Sequence, residues 1–146
     1  MTPARTALGL ALLLTLGCAA HADGPPEIVL DRDACSRCGM LISEARHAAA
    51  FRTPDGAVRV FDDIGCLRGA AADAQDLTVW VHDGSEGSWM NAGEATFVVS
   101  SGIRTPMAGG VLAFRRAADA ERAAARHHGR IVHSVTELLA TKGAGS

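Results

Sequence analysis

Apolar residues in this chain fall into short runs broken by Gly, Pro and Asp, a pattern of strands joined by turns with helices between them. "RHAAAFR" (46–52) and "AVRVF" (57–61) flank "TPDG", where Pro54 presets φ and Gly56 permits a positive φ. The pair predicts a β-hairpin. "DDIGCLRGAAADA" (62–74) predicts a helix with Asp62 or Asp63 as its N-cap, and "LTVWV" (77–81) predicts a strand. The order then recurs. "ATFVVSS" (95–101) is a strand, "GIRTPMAGG" (102–110) a loop and "VLAF" (111–114) a second strand. "RAADAERAAARHH" (116–128) is a helix stopped by Gly129, and "RIVH" (130–133) a closing strand. The expected fold class is therefore α+β, with two related ββαβ units packed together over about 31–83 and 88–134. A short helix at "SVTELLA" follows, and a tail at 141–146 is expected to be disordered.

The N-terminus departs from this alternation. Arg5 precedes an apolar run from Ala7 to Leu16, about half the ~20 residues of a spanning helix, so residues 1–22 predict a signal segment. Two processing sites are open. "AHA" before Asp23 suits cleavage after Ala22. "LTLGC" resembles a lipobox, with Thr15 where Leu is usual, and would give cleavage before a lipidated Cys18. Either route places the mature protein outside the cytoplasm. Residues 23–30, beginning "DGPPE", read as a tether, and the folded domain is expected over 31–140. A chain of 146 residues suits one domain, or two small units sharing a core. With two Trp, four Phe and no Tyr, that core is modest. The net charge of −2, without a basic stripe, gives no electrostatic footprint for nucleic acid.

Processing also changes the cysteine count. With Cys18 lipidated or removed, Cys35, Cys38 and Cys66 remain, and three thiols cannot form a closed disulfide framework. The C-x-x-C pair could be half of a zinc site, but the chain has no second C-x-x-C and no H-x-x-x-H to complete four ligands. A redox dithiol wants its first cysteine at a helix N-terminus, whereas Gly39 follows Cys38 in a segment without helical periodicity. The triplet Cys38-Gly39-Met40 fits soft-metal chemistry better. In an extended segment the side chains at i and i+2 share a side, and thiolate with thioether favours Cu(I). Met40 could equally be a core residue. Cys66 could be a metal or disulfide partner of Cys35 or Cys38, and Asp62 a group that orients a ligand. Met107, in a Pro- and Gly-flanked loop, and His47, close to the triplet in sequence, are further candidate donors. His127 and His128 suit a helix C-terminus. No G-x-S-x-G, phosphate loop or general-base pattern is present in the sequence.

Taken in order, "CSRCGM", "VFDDIGCL", "WMNAGEATFVV" and "TPMAGGVLAF" resemble the NosL family, from Asp31 to Gly129. The resemblance implies a periplasmic, membrane-anchored lipoprotein encoded with nitrous oxide reductase. It implies binding of one Cu(I) per chain, and a metallochaperone rather than an enzyme, serving that reductase and its assembly machinery in the membrane. It implies a fold of two ββαβ units, with an organomercurial lyase as a distant structural relative. The family's Cys and Met of C-x-M fall on Cys38 and Met40. Cys35 and Cys66 have no role assigned by it. Two other classes stay open: a thiol–disulfide oxidoreductase using Cys35 and Cys38, and a non-catalytic module with structural zinc or a disulfide.

Overall fold

The computed structural model describes residues 24–140. The signal segment, Cys18 with its two processing sites, and the tail at 141–146 lie outside the described residues. Ten elements follow a 3-10 turn at Ala45–His47. They are β1 (Ala49–Arg52), β2 (Val58–Phe61), α1 (Ile64–Ala71), β3 (Thr78–His82) and β4 (Trp89–Asn91) in the first half. After a second 3-10 turn come β5 (Thr96–Val99), β6 (Val111–Phe114), α2 (Ala117–His127), β7 (Arg130–Val132) and α3 (Val135–Ala140).

Both sheets are antiparallel, and they repeat one plan. The first has the order β2-β1-β3-β4 and the second β6-β5-β7, so each half places the first strand of its hairpin at the centre. The β1–β2 register runs from Ala49 opposite Phe61 to Arg52 opposite Val58. Its turn closes through the Gly56 N–H to Thr53 O at 2.9 Å, with Gly56 at φ 91° as its position in "TPDG" requires. Central strands are buried on both faces, which explains the uninterrupted apolar runs Ala49-Ala50-Phe51 and Phe97-Val98. The α+β fold of two ββαβ units thus agrees with the sequence pattern.

Strand β4 was not anticipated. It has only three residues, of which Met90 alone is buried, so its alternation is too short to stand out. Helix α2 ends one residue earlier than Gly129 would suggest, since His128 adopts the left-handed conformation at φ 50°. Gly129 matters for a different reason. A Cβ there would lie 2.6 Å from Val98 Cγ1, so glycine lets the chain pass tightly over β5.

The halves share one core. Cys35, Phe51, Phe61, Leu67 and Cys66 from the first half pack in the same cluster as Phe97, Val111, Val132 and Leu138 from the second. Asp83 joins the sheets beyond β3. Its carboxylate accepts the N–H groups of Ser85 (2.7 Å), Glu86 (2.9 Å) and Arg115 (2.7 Å), beside a parallel bridge from Asp83 to Ala113. These donors, set against burial that pushes the pKa up, hold the Asp83 carboxyl below its ordinary value.

Candidate metal centre

The C-x-x-C segment is a tight loop rather than an extended strand, contrary to the geometry expected for Cys38 and Met40. The Cys35 N–H donates to Met40 O at 2.8 Å, and the Gly39 N–H donates back to Cys35 O at 2.9 Å. Gly39 takes φ 76°, which a glycine adopts without strain, and this turn displaces the simple i, i+2 alternation. Ser36 pins the loop against β2, its N–H reaching Val60 O at 2.8 Å while its Oγ accepts the Val60 N–H at 3.2 Å. One consequence is a sorting of the two thiols. Cys35 is 2% exposed and faces the core, whereas Cys38 lies at the surface beside Met40, which is 57% exposed.

Helix α1 brings the third thiol. Asp63 caps it, with Oδ1 accepting the Cys66 N–H at 2.8 Å, so the buried Cys66 sits in the first turn. The sulfurs of Cys35, Cys38 and Cys66 all lie within 4.8 Å of one another. Among the described residues no His, Asp or Glu joins this group.

The electrostatics of the two buried thiols differ. Burial pushes the Cys35 pKa up, but backbone N–H donors from Asp62, Cys38 and Arg37, with the Cys38 side chain, outweigh it and hold the thiol below its ordinary value. A helix N-terminus is one way to lower a thiol pKa; a loop of converging N–H groups has the same effect. Cys66 moves the other way. Burial, then the charges of Cys35 and Asp63, drive its pKa well up, and it shares a hydrogen bond with Cys35. The two buried thiols are thus shifted in opposite directions within one hydrogen-bonded pair.

Asp63 does more than cap. Its Oδ2 accepts from Thr105 Oγ1 (2.8 Å), the Met107 N–H (3.2 Å) and the Gly109 N–H (3.1 Å), clamping the "TPMAGG" loop of the second half onto α1. Two glycines allow this approach. A Cβ on Gly65 would stand 2.6 Å from Gly109 Cα, and one on Gly109 would stand 2.8 Å from Asp63 Oδ2 and from Gly65 Cα. The cap at Asp63 is legible in the sequence, whereas the clamp is signalled only by the second Asp of "FDD" and the loop glycines.

A protein-family model described as NosL matches residues 26–138, more than half of the chain. The chain belongs to the NosL family. A solved structure with the same fold is the crystal structure of the copper chaperone NosL from Shewanella denitrificans, at a TM-score of 0.66 and 26% identity. The match covers 75% of this chain and 94% of that one. No curated protein sequence matches this chain. No helix among the described residues of this NosL chain is long and apolar enough to cross a membrane.

Around the thiols, the remaining sequence candidates are held in different ways in this NosL chain. Met107 is partly buried and packs against the core cluster that contains Cys35 and Cys66. The Asp62 carboxylate is buried and accepts the Ser43 N–H at 3.3 Å. Burial raises its pKa, as do the nearby Asp63 and Glu44 charges. His47 is 8% exposed, with Nε2 3.6 Å from Glu44 and Nδ1 without a hydrogen-bond partner. It lines a cleft of about 340 Å³ with Arg46, Arg104 and His127, and none of the three cysteines lines that cleft.

A second buried histidine in this NosL chain gives stability a pH dependence. His82 stacks on Trp89 at 3.8 Å between ring centres, and its Nδ1–H donates to Ala48 O at 2.9 Å. Burial lowers its pKa below the ordinary 6.5; the Ala48 bond opposes this, and His47 adds to it. The unfolded chain therefore binds the proton more readily than the folded one. Stability is full above pH ~6.5 and falls as the pH drops through that value toward the folded pKa. Thermal unfolding of the metal-free protein should show this decline, and His82→Asn should make it shallower, leaving the share of His47, whose pKa burial also lowers. An unchanged slope in the variant would assign the decline to other groups.

Proposed function

We propose that this protein is a Cu(I) metallochaperone on the periplasmic side, anchored through a lipid on Cys18, that supplies copper to nitrous oxide reductase and its membrane assembly machinery. One observation carries the copper part: three sulfurs gathered within 4.8 Å, of which only that of Cys38 is exposed. The family, and the copper chaperone of the same fold, support it. Thiolate and thioether donors select a soft monovalent ion over the harder ones.

In this account Cys38 Sγ and Met40 Sδ hold one Cu(I) at the surface, with a further donor from the residues around them. An incoming thiolate, thioether or imidazole joins the ion from solvent before Cys38 and Met40 leave. Cargo thus passes between proteins without being released as a free ion. No bond of the partner is made or broken apart from those to copper, so the protein acts as a carrier and not an enzyme. A closed structural zinc site needs four protein donors, whereas the cysteine group offers three.

The test is competition with a Cu(I) chelator under anaerobic, reducing conditions. Wild type should withdraw one Cu(I) per chain, and Met40→Ala should hold it at least about tenfold more weakly, since losing a donor costs no less than losing a group that only orients one. A wild-type protein unable to compete would contradict the proposal. The low-lying Cys35 thiol favours one other reading, a thiol–disulfide oxidoreductase using Cys35 and Cys38. That reading requires metal-free reduction of a disulfide substrate, and a turnover assay separates the two.

A further inference from the structure

The unassigned part of the carrier site is the set of donors behind Cys38 and Met40. Four groups compete for it: His47, Met107, the Asp62 carboxylate, and the two buried thiols. Geometry separates them. His47 and Asp62 bring no donor atom into the group formed by the three sulfurs, although both residue types would have qualified. His47 instead has its Nε2 3.6 Å from Glu44 and lines a separate cleft, and one oxygen of the Asp62 carboxylate accepts the Ser43 N–H. Met107 packs against the core cluster that also contains Cys35 and Cys66, with its backbone N–H tied to Asp63, so it lies behind the thiols and away from the exposed side of Cys38. Cys35 and Cys66 are already in place.

We infer that Cys35, Cys38 and Cys66 form a trithiolate site for a soft d10 ion, with the Met40 thioether at its open, solvent-facing side. The inference rests on the carrier reading above and names the donors that complete it. The spacing suits it. An ion about 2.3 Å from each of three sulfurs sets them about 4.0 Å apart in a trigonal plane. The observed upper limit of 4.8 Å therefore closes by less than about an ångström, within side-chain rotation and without unfolding α1. Each thiol that ligates releases its proton to solvent, and no oxidant or reductant is involved.

The arrangement also separates holding from exchange. Cys35 and Cys66 are buried in the core and reach the ion from inside, so an acceptor cannot contact them first. Cys38 is the ligand common to the inner thiols and the surface, and the acceptor meets the ion there. Buried donors raise affinity, while the exposed pair keeps a route for ligand exchange. The Asp63 clamp fixes the α1 turn that carries Cys66, so the site draws on both halves of the fold.

The experiment combines chelator competition with copper-edge X-ray absorption on the full-length, reduced protein loaded with one Cu(I). The wild-type spectrum should show a shell of sulfur only, with three or more sulfurs and no imidazole scattering. Cys66→Ala and Cys35→Ala should each lose one sulfur and bind at least about a hundredfold more weakly, at or beyond the upper end for groups that only orient a ligand. His47→Ala should bind as wild type does. A wild-type shell of two sulfurs, or one containing imidazole, overturns the inference even if the buried-cysteine variants fail to fold. So do folded Cys35→Ala and Cys66→Ala proteins of wild-type affinity. Those outcomes leave a Cys38–Met40 carrier standing, whereas full affinity in Cys38→Ala would remove the carrier reading itself.

Discussion

Replacing Cys38 with alanine should lower Cu(I) affinity by about a thousandfold or more while leaving the fold intact. The two halves of this expectation have separate causes. Cys38 is the exposed member of the sulfur group; in the proposed carrier it is the thiolate that an acceptor meets, so its loss would remove both a donor and the route of exchange. Its side chain is absent from the core, and the loop that carries it is held by backbone bonds between Cys35, Gly39 and Met40. An exposed substitution of this kind changes stability by about 0.5 kcal/mol or less. The measurement is therefore paired: chelator competition for Cu(I), and thermal unfolding without metal. A large loss of affinity with an unchanged transition is expected. Equal affinity in the variant would contradict the assignment.

Asp63→Ala should have the largest effect on stability among residues around the site. One buried carboxylate accepts four hydrogen bonds, from the Cys66 N–H, Thr105 Oγ1, and the Met107 and Gly109 N–H groups. Losing the cap alone costs about 1 kcal/mol. Leaving buried donors without an acceptor costs about 1–3 kcal/mol each, less than additively because the loop can relax toward solvent. A total of about 3–5 kcal/mol follows, which lowers the melting temperature by roughly 10–25 °C for a domain of this size. Asp63→Asn should recover only part of it, because an amide oxygen can still cap α1 but the amide nitrogen then faces N–H donors. Copper affinity should fall as well, since the α1 turn carrying Cys66 loses its anchor. A melting temperature within a few degrees of wild type would show that the loop docks by packing alone.

Much of the fold was legible because its signals are local. "TPDG" between two apolar runs gave the β1–β2 hairpin, and an Asp before "IGCL" gave the start of α1. The same order of elements in both halves gave the repeat that the two sheets display. What escaped was short or depended on distant contacts. β4 is three residues long, and the turn at Gly39 overrode the alternation assumed for Cys38 and Met40. The odd number of thiols pointed away from a closed disulfide framework, but their convergence depends on how α1 packs behind the loop, which no spacing encodes. The same holds for the Gly65–Gly109 approach and for Asp63, whose partners come from the other half of the chain. His47 shows the converse. Its closeness in sequence to Cys38 suggested a ligand, yet it lines a cleft to which none of the three cysteines contributes.

The central claim is that this protein carries Cu(I) on reduced cysteine sulfur. Native mass spectrometry of the anaerobically reduced protein titrated with Cu(I) tests it most directly, because mass reports copper count and thiol state together. One tightly bound copper per chain is expected, with the cysteines reduced before loading and protons lost as copper is gained. A protein that stays copper-free with its thiols reduced, or that carries a bridged cysteine pair and takes up no ion, would contradict it.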